Sequence, residues 1–388
     1  MNTDIQARAD GLLDKVHTLL PRIRERTEEC KAGRRVPAET VSELQDAGFF
    51  LALQPARYGG LELMPQHFFR AQMALAEACM STAWACGIVA VHAYQLALMD
   101  ERAQQDVWGD SIHTRVSSSY APMGKVEKVE GGFRFSGRWG WSSGCDHCTW
   151  VLLGGIVPDE GYRTFLIPRE DYDIEDTWQV MGLQGTGSND IVVKDAFVPD
   201  YRTHKQMDGF LGTNPGKAVN PQVQFQFPWA QLFIRTVSSP AIGACRAALR
   251  LAIKGANGKA SNDPTKLAGD TATLERLAQA DCTIDELEAL LYRNFDHMQA
   301  RLERNESIPL SERARYRLQA GQVIERCMGV VDSLFSSAGG RSVFLDSEIQ
   351  QRFMDIHTAR AHVANNPTPF LRNHGGLLLG LENSDVFI

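Results

Sequence analysis

The sequence predicts an α+β fold in three consecutive parts: helices, a small all-β unit, then a helical bundle. Two changes of hydrophobic period carry this prediction. Apolar residues recur at helical spacing as far as about Trp108. They alternate or cluster in short runs from Arg115 to about Val198, and return to helical spacing after Pro228. Turn residues punctuate the middle part at Glu130-Gly131-Gly132, Pro158-Asp159-Glu160-Gly161 and Pro168. The boundaries that follow are 1–114, 115–210 and 211–388.

In the first part, residues 5–31 are amphipathic and charged. Pro37 opens a second helix whose apolar face holds Val41, Leu44 and Phe49-Phe50. Gly59-Gly60 interrupts the pattern, and helices resume near Pro65. In the middle part, Val126/Val129, Phe133/Phe135, Trp150–Leu153, Phe165–Ile167 and Ile191–Val193 mark strands. About seven such strands make a small barrel or a sandwich. Residues 200–228, rich in Gly, Pro, Asn and Gln, read as a long connection or a lid. From Pro228 to about Asn365, three or four long helices are broken near Gly255–Pro264, Pro309 and Gly339-Gly340. That is the pattern of a bundle.

Composition excludes several function classes. The 388 residues carry 40 Lys+Arg against 47 Asp+Glu, a net charge of −7. No basic excess exists to neutralise nucleic-acid phosphates or an anionic membrane. The most apolar run, Trp84 to Met99, contains His92 and Gln95 and is too short to span a bilayer, so it reads as a buried helix. The polar start Met1–Gln6 leads into a charged helix rather than a signal peptide. Eight scattered cysteines read as free thiols, so the expected location is the cytoplasm. Cys145 and Cys148 form a CxxC without a second cluster at metal-ligand spacing, and no metal is expected.

The most informative stretch is Trp139-Gly140-Trp141-Ser142-Ser143-Gly144-Cys145-Asp146, which ends the alternating run 132–138. Two indoles and two hydroxyls at a strand end can wall a flat ring and bond its edge. Turns and core packing use the same residues, so the stretch decides nothing by itself.

Its company decides more. Gly137–Gly144, Gly182-Leu183-Gln184-Gly185-Thr186-Gly187-Ser188 with Val198-Pro199, and Gly339-Gly340 resemble motifs of the acyl-CoA dehydrogenase superfamily. The likeness runs over nearly the whole chain. It implies an acyl-CoA dehydrogenase-like fold: an N-terminal helical domain, a central β-barrel and a C-terminal four-helix bundle. It also implies a flavin between barrel and bundle, shared across the subunits of a homotetramer. The cofactor contacts it implies are Trp84, Tyr120, Trp141, Ser142, Ser143, Thr186, Ser188, Lys254, Gly339 and Gly340. Lys254 stands where the family places an arginine on the cofactor's pyrophosphate.

A dehydrogenase of that superfamily needs a carboxylate to take the α-proton of an acyl thioester. Both positions for such a base are empty: no acid lies between Asp355 and Glu382, or between Asp208 and Asp263. Ser117–Gly124, Trp141–His147, Gly185–Asn189, and His357 with His362 resemble instead the oxygenase components of two-component flavin monooxygenases. That group includes hydroxylases of a phenolic secosteroid in bacterial steroid degradation and, more distantly, p-hydroxyphenylacetate hydroxylases. The resemblance implies FMNH2, with FADH2 as the alternative, supplied by a separate NAD(P)H:flavin reductase. Oxygen then reacts through a C4a-hydroperoxyflavin to hydroxylate a small aromatic substrate, a phenol at its ortho position.

Four residues carry the implied chemistry. Ser143 sits beside the flavin N5, where a strand-end hydroxyl otherwise bonds its own backbone. His362 is the late-helix histidine near C4a, expected to work as a neutral imidazole with a pKa near neutrality. His357 lies five residues earlier, about 500° away on a helix, and points elsewhere. His92 and Ser118 match positions that face the substrate phenol, where the pair accepts or polarises the phenolic proton. For His92 a hydrogen-bonded core histidine is an equal reading.

Three rival functions remain at this level. An indolic or other heteroaromatic substrate fits the same scaffold. A dehydrogenase with its base elsewhere would hold FAD tightly and be bleached by an acyl-CoA. A non-catalytic flavin-binding protein would be indifferent to loss of His362 or Ser143. The sequence contains no recognisable nicotinamide site, so NADH alone is not expected to reduce the flavin.

Overall fold

The computed structural model describes residues 3–260 and 270–388. Six helices come first: α1 (Thr3–Glu25), α2 (Thr27–Ala32), α3 (Ala38–Ala47), α4 (Pro65–Ala78), α5 (Met80–Ala97) and α6 (Glu101–Trp108). Pro65 occupies the first turn of α4, where its missing N–H costs nothing. Asp100 caps α6 by accepting from the Arg102 N–H. Helix α5 is buried along its whole length, as a helix apolar on every face must be. It packs against α4 on one side and against the strands on another.

Seven strands follow: β1 (Val116–Val129), β2 (Gly132–Ser142), β3 (Trp150–Val157), β4 (Gly161–Pro168), β5 (Asp173–Glu175), β6 (Asn189–Pro199) and β7 (Thr203–Lys205). They form one sheet in the order β5-β6-β2-β1-β3-β4-β7. Only β1 and β3 run parallel. The sheet curls into a barrel. Phe135 of β2 stacks on Phe165 of β4 with ring centroids 4.2 Å apart, although β1 and β3 lie between those strands. Phe133, Val151, Ile167, Ile191 and Val193 complete that interior. Trp139 belongs there too: it is fully buried, stacks on Phe135, and donates to the Gly154 carbonyl at 2.9 Å. This corrects the sequence reading, which gave Trp139 to the wall of a flat-ring site.

Residues 200–228 contain the short helix α7 (Gln206–Leu211) and are tied to the first helices. Gly216 N–H donates to the Leu98 carbonyl at 2.9 Å, and Asn220 Nδ2 donates to the Ala97 carbonyl at 2.8 Å. Phe225 and Phe227 are buried. The segment is a packed connection.

The remaining helices are α8 (Trp229–Thr236), α9 (Ser239–Ala260), α10 (Thr271–Leu302), α11 (Leu310–Gly321), α12 (Val323–Ser337), α13 (Glu348–Ala359) and α14 (Thr368–Leu378). Helices α9, α10, α12 and α13 pack together as the bundle. Helix α9 continues through Gly255, and the rest of the expected break at 255–264 lies outside the described residues. The breaks at Pro309 and Gly339-Gly340 fall at helix boundaries. Helix α14 was not anticipated. Nor was the end of α13 at Ala359, which leaves His362 beyond the helix at the start of a 3-10 turn. All eight cysteines are free, and among the described residues no helix is long and apolar enough to cross a membrane.

Candidate active site

The end of β2 and the glycine-rich loop before β6 meet against α5. Gly144 N–H donates to the Thr186 carbonyl at 2.9 Å. Gly144 has a φ of +70°, and a Cβ there would lie 2.9 Å from Val89 Cγ2 on α5, so glycine is required by both backbone and space. Across this junction runs a chain of buried hydroxyls. Trp84 Nε1 donates to Ser143 Oγ at 3.3 Å, Ser143 Oγ lies 2.8 Å from Ser188 Oγ, and Ser188 Oγ lies 2.7 Å from Thr186 Oγ1. Thr186 Oγ1 donates to the Leu183 carbonyl at 3.0 Å and so fixes the direction at one end. The Ser142 hydroxyl is buried beside them with no partner. Trp141 has a φ of +64° and is 71% exposed. The positive φ turns its indole out of the strand's alternation.

A second group, a cluster of rings, gathers where α5, β1, α8 and the turn at His362 meet. Side chains two apart on β1 share a face, so Ser118 and Tyr120 both lie on the α5 side. The Phe233 ring is the hub. It lies 4.9 Å from Tyr120, 5.6 Å from Trp229 and 6.2 Å from His362. His92 lies 6.0 Å from Tyr120 and 6.4 Å from Trp229, and Trp84 lies 5.8 Å from His362. The Tyr120 hydroxyl donates to Gln95 Oε1. Burial pushes the Tyr120 phenol up, and a hydrogen bond with Ser118 opposes that shift.

The two histidines are held in defined tautomers. His92 Nδ1 is 2.9 Å from the Val116 carbonyl, which only accepts, so the proton is on Nδ1. Nε2 is then a buried acceptor with no partner. Burial pushes His92 down to about 4, against the Val116 carbonyl, which favours the charged form. His362 Nδ1 instead accepts from the Ala364 N–H at 3.1 Å, which puts the proton on Nε2. Burial, then the Arg317 charge, pushes His362 down to about 4. This corrects the expectation of a pKa near neutrality: His362 is a fixed N–H donor across the physiological range. Arg317 is itself buried and donates to the Ala364 carbonyl at 3.0 Å, while Asn365 Nδ2 bonds the Val237 and Ala359 carbonyls. These bonds clamp the turn that carries His362.

Not every expected residue joins these groups. Lys254 is exposed on α9 and shares no hydrogen bond or ring contact with them. Gly339 and Gly340 are exposed beyond α12, with nothing within 4 Å of a Cβ built on either. His357 Nε2 pairs with Asp332 Oδ1 at 2.7 Å, away from these rings. Sequence reasoning missed Phe233, Trp229, Arg317 and the working role of Asp355. Asp355 served only as a landmark, yet its Oδ1 accepts from the Leu183 N–H at 2.6 Å and from Gln351 at 2.8 Å. Burial pushes that carboxyl up to about 6. It braces the glycine-rich loop where Leu183 holds a φ of +53°. It shares its buried face of α13 with Gln351 and Arg352, so no isolated acid on an apolar face marked it in the sequence.

The donor set fits a flavin. A planar, polar-edged ring needs hydroxyls and N–H groups along its rim and an aromatic face beside it. The unpartnered Ser142 hydroxyl, the Ser143–Ser188–Thr186 chain and the outward Trp141 supply these.

Two family models match the chain: the acyl-CoA dehydrogenase N-terminal domain over residues 11–112 and the acyl-CoA dehydrogenase C-terminal domain over residues 235–367. The flavin-dependent monooxygenase oxygenase subunit HsaA of Mycobacterium tuberculosis is 39% identical, across 100% of both chains. The p-hydroxyphenylacetate 3-hydroxylase oxygenase component of Acinetobacter baumannii is 32% identical over 97% of this chain and 91% of its own. The crystal structure of 3-HSA hydroxylase from Rhodococcus sp. RHA1 matches with a TM-score of 0.95 at 36% identity, covering 97% of this chain and 99% of that one. Full-length identity at this level, together with two absent carboxylates, separates the chain from the dehydrogenases whose fold it shares. It belongs to the flavin-dependent monooxygenases of the acyl-CoA dehydrogenase fold, as an oxygenase component that uses reduced flavin.

Proposed function

We propose that the chain hydroxylates a phenol at the carbon ortho to its hydroxyl, with a bulky phenolic secosteroid as the first candidate substrate. The observation that carries this is His92 Nε2, a buried acceptor without a partner beside a cluster of rings, which we take as the walls of the substrate chamber. A phenolic O–H is the donor such a site lacks, and accepting it makes the ortho carbon more nucleophilic. Tyr120, Trp229 and Phe233 hold the ring, and Ser118 adds a hydroxyl at the same end. The bound flavin, FMNH2 or FADH2 from a separate NAD(P)H:flavin reductase, supplies the activation of O2. Ser143 would bond the flavin's N5 edge, and the Nε2–H of His362, whose ring lies 5.8 Å from that of Trp84, would be a further donor to it. Ser143 is buried and His362 half-buried, which limits the access of water to the reacting atoms.

A homotetramer belongs to the same proposal. Val343, Phe344 and Leu345 follow Gly339-Gly340 and are 63%, 54% and 75% exposed. A contiguous apolar patch of this kind is what a subunit contact covers.

The test supplies chemically reduced FMN or FAD to the protein with O2 and either a para-substituted phenol or its methyl ether. Catechol from the phenol, with the ether unchanged, is expected. Equal turnover of the ether would overturn the role given to His92.

A further inference from the structure

Residues 379–388 are held by a set of hydrogen bonds to the helices around them and to one another. Asn373 on α14 holds them through Asn383 Oδ1 at 2.9 Å and the Ser384 N–H at 2.8 Å. The Phe387 N–H donates to Asp385 Oδ1 at 2.8 Å, which fixes the backbone that carries the ring. Asp385 Oδ2 lies 3.9 Å from Arg317 Nε. Arg313 Nε donates to the Ile388 main-chain oxygen at 3.1 Å, and the Arg313 guanidinium also lies over Phe210 of α7 at 4.7 Å. Residues 385–388 are therefore held on α11, whose Arg313 also reaches Phe210 of the 200–228 connection. Their one aromatic side chain, Phe387, meets Phe233 edge to face at 6.0 Å.

We infer that Phe387 is a positioning residue that holds the Phe233 ring and thereby sets which phenols fit the chamber. The inference rests on the chamber being the substrate site. Phe233 also meets Tyr120, Trp229 and His362, so on the proposed reading the orientation of its ring sets the room a substrate has among them. Packed rings do not deform continuously. Without Phe387 the Phe233 ring gains room to swing outward, and the chamber widens at that side. A single-ring phenol then loses contact, whereas a fused-ring phenol does not.

The test measures equilibrium binding to the flavin-free protein through tryptophan fluorescence, since Trp229 lies beside Phe233. The ligands are a single-ring phenol and a fused-ring phenol such as a tetrahydronaphthol. The variants are F387A, F387L and H92A. Expected in F387A is about a tenfold weaker Kd for the small phenol with the fused-ring phenol unchanged or tighter. F387L should restore part of the difference. In turnover the same variant should show the change in KM rather than kcat. Equal weakening of both phenols, or no change in either, overturns the inference. If H92A leaves binding of both phenols intact, the chamber itself is not the substrate site. That failure is distinct from failure of Phe387 alone.

Discussion

The Ser143 hydroxyl lies 2.8 Å from the Ser188 hydroxyl and so joins the end of β2 to the glycine-rich loop before β6. Removing it leaves the Trp84 N–H and the Ser188 hydroxyl each short of a partner in a buried place. Ser143→Ala should cost about 1–3 kcal/mol of folding stability, read as a lower urea midpoint. With reduced flavin and O2 it should also divert consumed oxygen from product to hydrogen peroxide. An unchanged peroxide yield would remove Ser143 from the flavin edge.

His92 is expected to matter for chemistry more than for folding. His92→Asn keeps a polar side chain but loses the Nε2 acceptor. The turnover of a phenol should fall about 100-fold, the range for loss of a positioned base. Oxygen consumption should continue, with peroxide as its product. Steady-state rates of catechol and peroxide formation check this.

The sequence exposed the fold wherever one period holds for a whole element. Helix α5 was legible because it is apolar on every face, and β2 because Phe133 and Phe135 alternate. Trp139 and Trp141 were not separable, since residues two apart share a face in a regular strand. The positive φ at Trp141 breaks that rule and has no signature in a tryptophan. The end of α13 before His362 was equally hidden. No proline stands until Pro367, and the stop comes from Arg317 and Asn365 gripping the turn across the fold. Ser143, Ser188, His92 and Ser118 were reached through motif likeness. Phe233 and Phe387 were not, because a ring that meets another 154 residues away leaves no local trace.

Arg317 both clamps the turn and lowers the His362 pKa. Arg317→Met keeps the side-chain volume and removes the charge. His362 should then titrate at a higher pH than in the parent protein, read from its imidazole NMR resonance. A fall, or no movement, would show that the Arg317 charge does not act on His362.

Stability should fall in acid. His92 and His362 sit at about 4 in the folded chain against the ordinary 6.5. The unfolded chain therefore binds their protons first. Their contribution is complete above about pH 6.5 and is lost as the pH falls toward 4. Each costs about 2 kcal/mol between pH 6.5 and 5, at about 1.4 kcal/mol per unit. Asp355, pushed up to about 6, acts with the opposite sign: it adds stability as the pH falls below that value toward the ordinary 3.8. Urea midpoints at pH 7.5 and 5.5 should drop less in His92→Gln than in the parent.

The central claim is that this chain places a phenol beside a reduced flavin and transfers one oxygen atom to it. The most direct test gives the protein chemically reduced flavin, a phenol and 18O2, with no nicotinamide present, and weighs the product by mass spectrometry. The account predicts a catechol carrying one 18O atom, and its loss in His92→Asn. A product whose new oxygen comes from water, or consumption of all the oxygen as peroxide across phenols of both sizes, would contradict it.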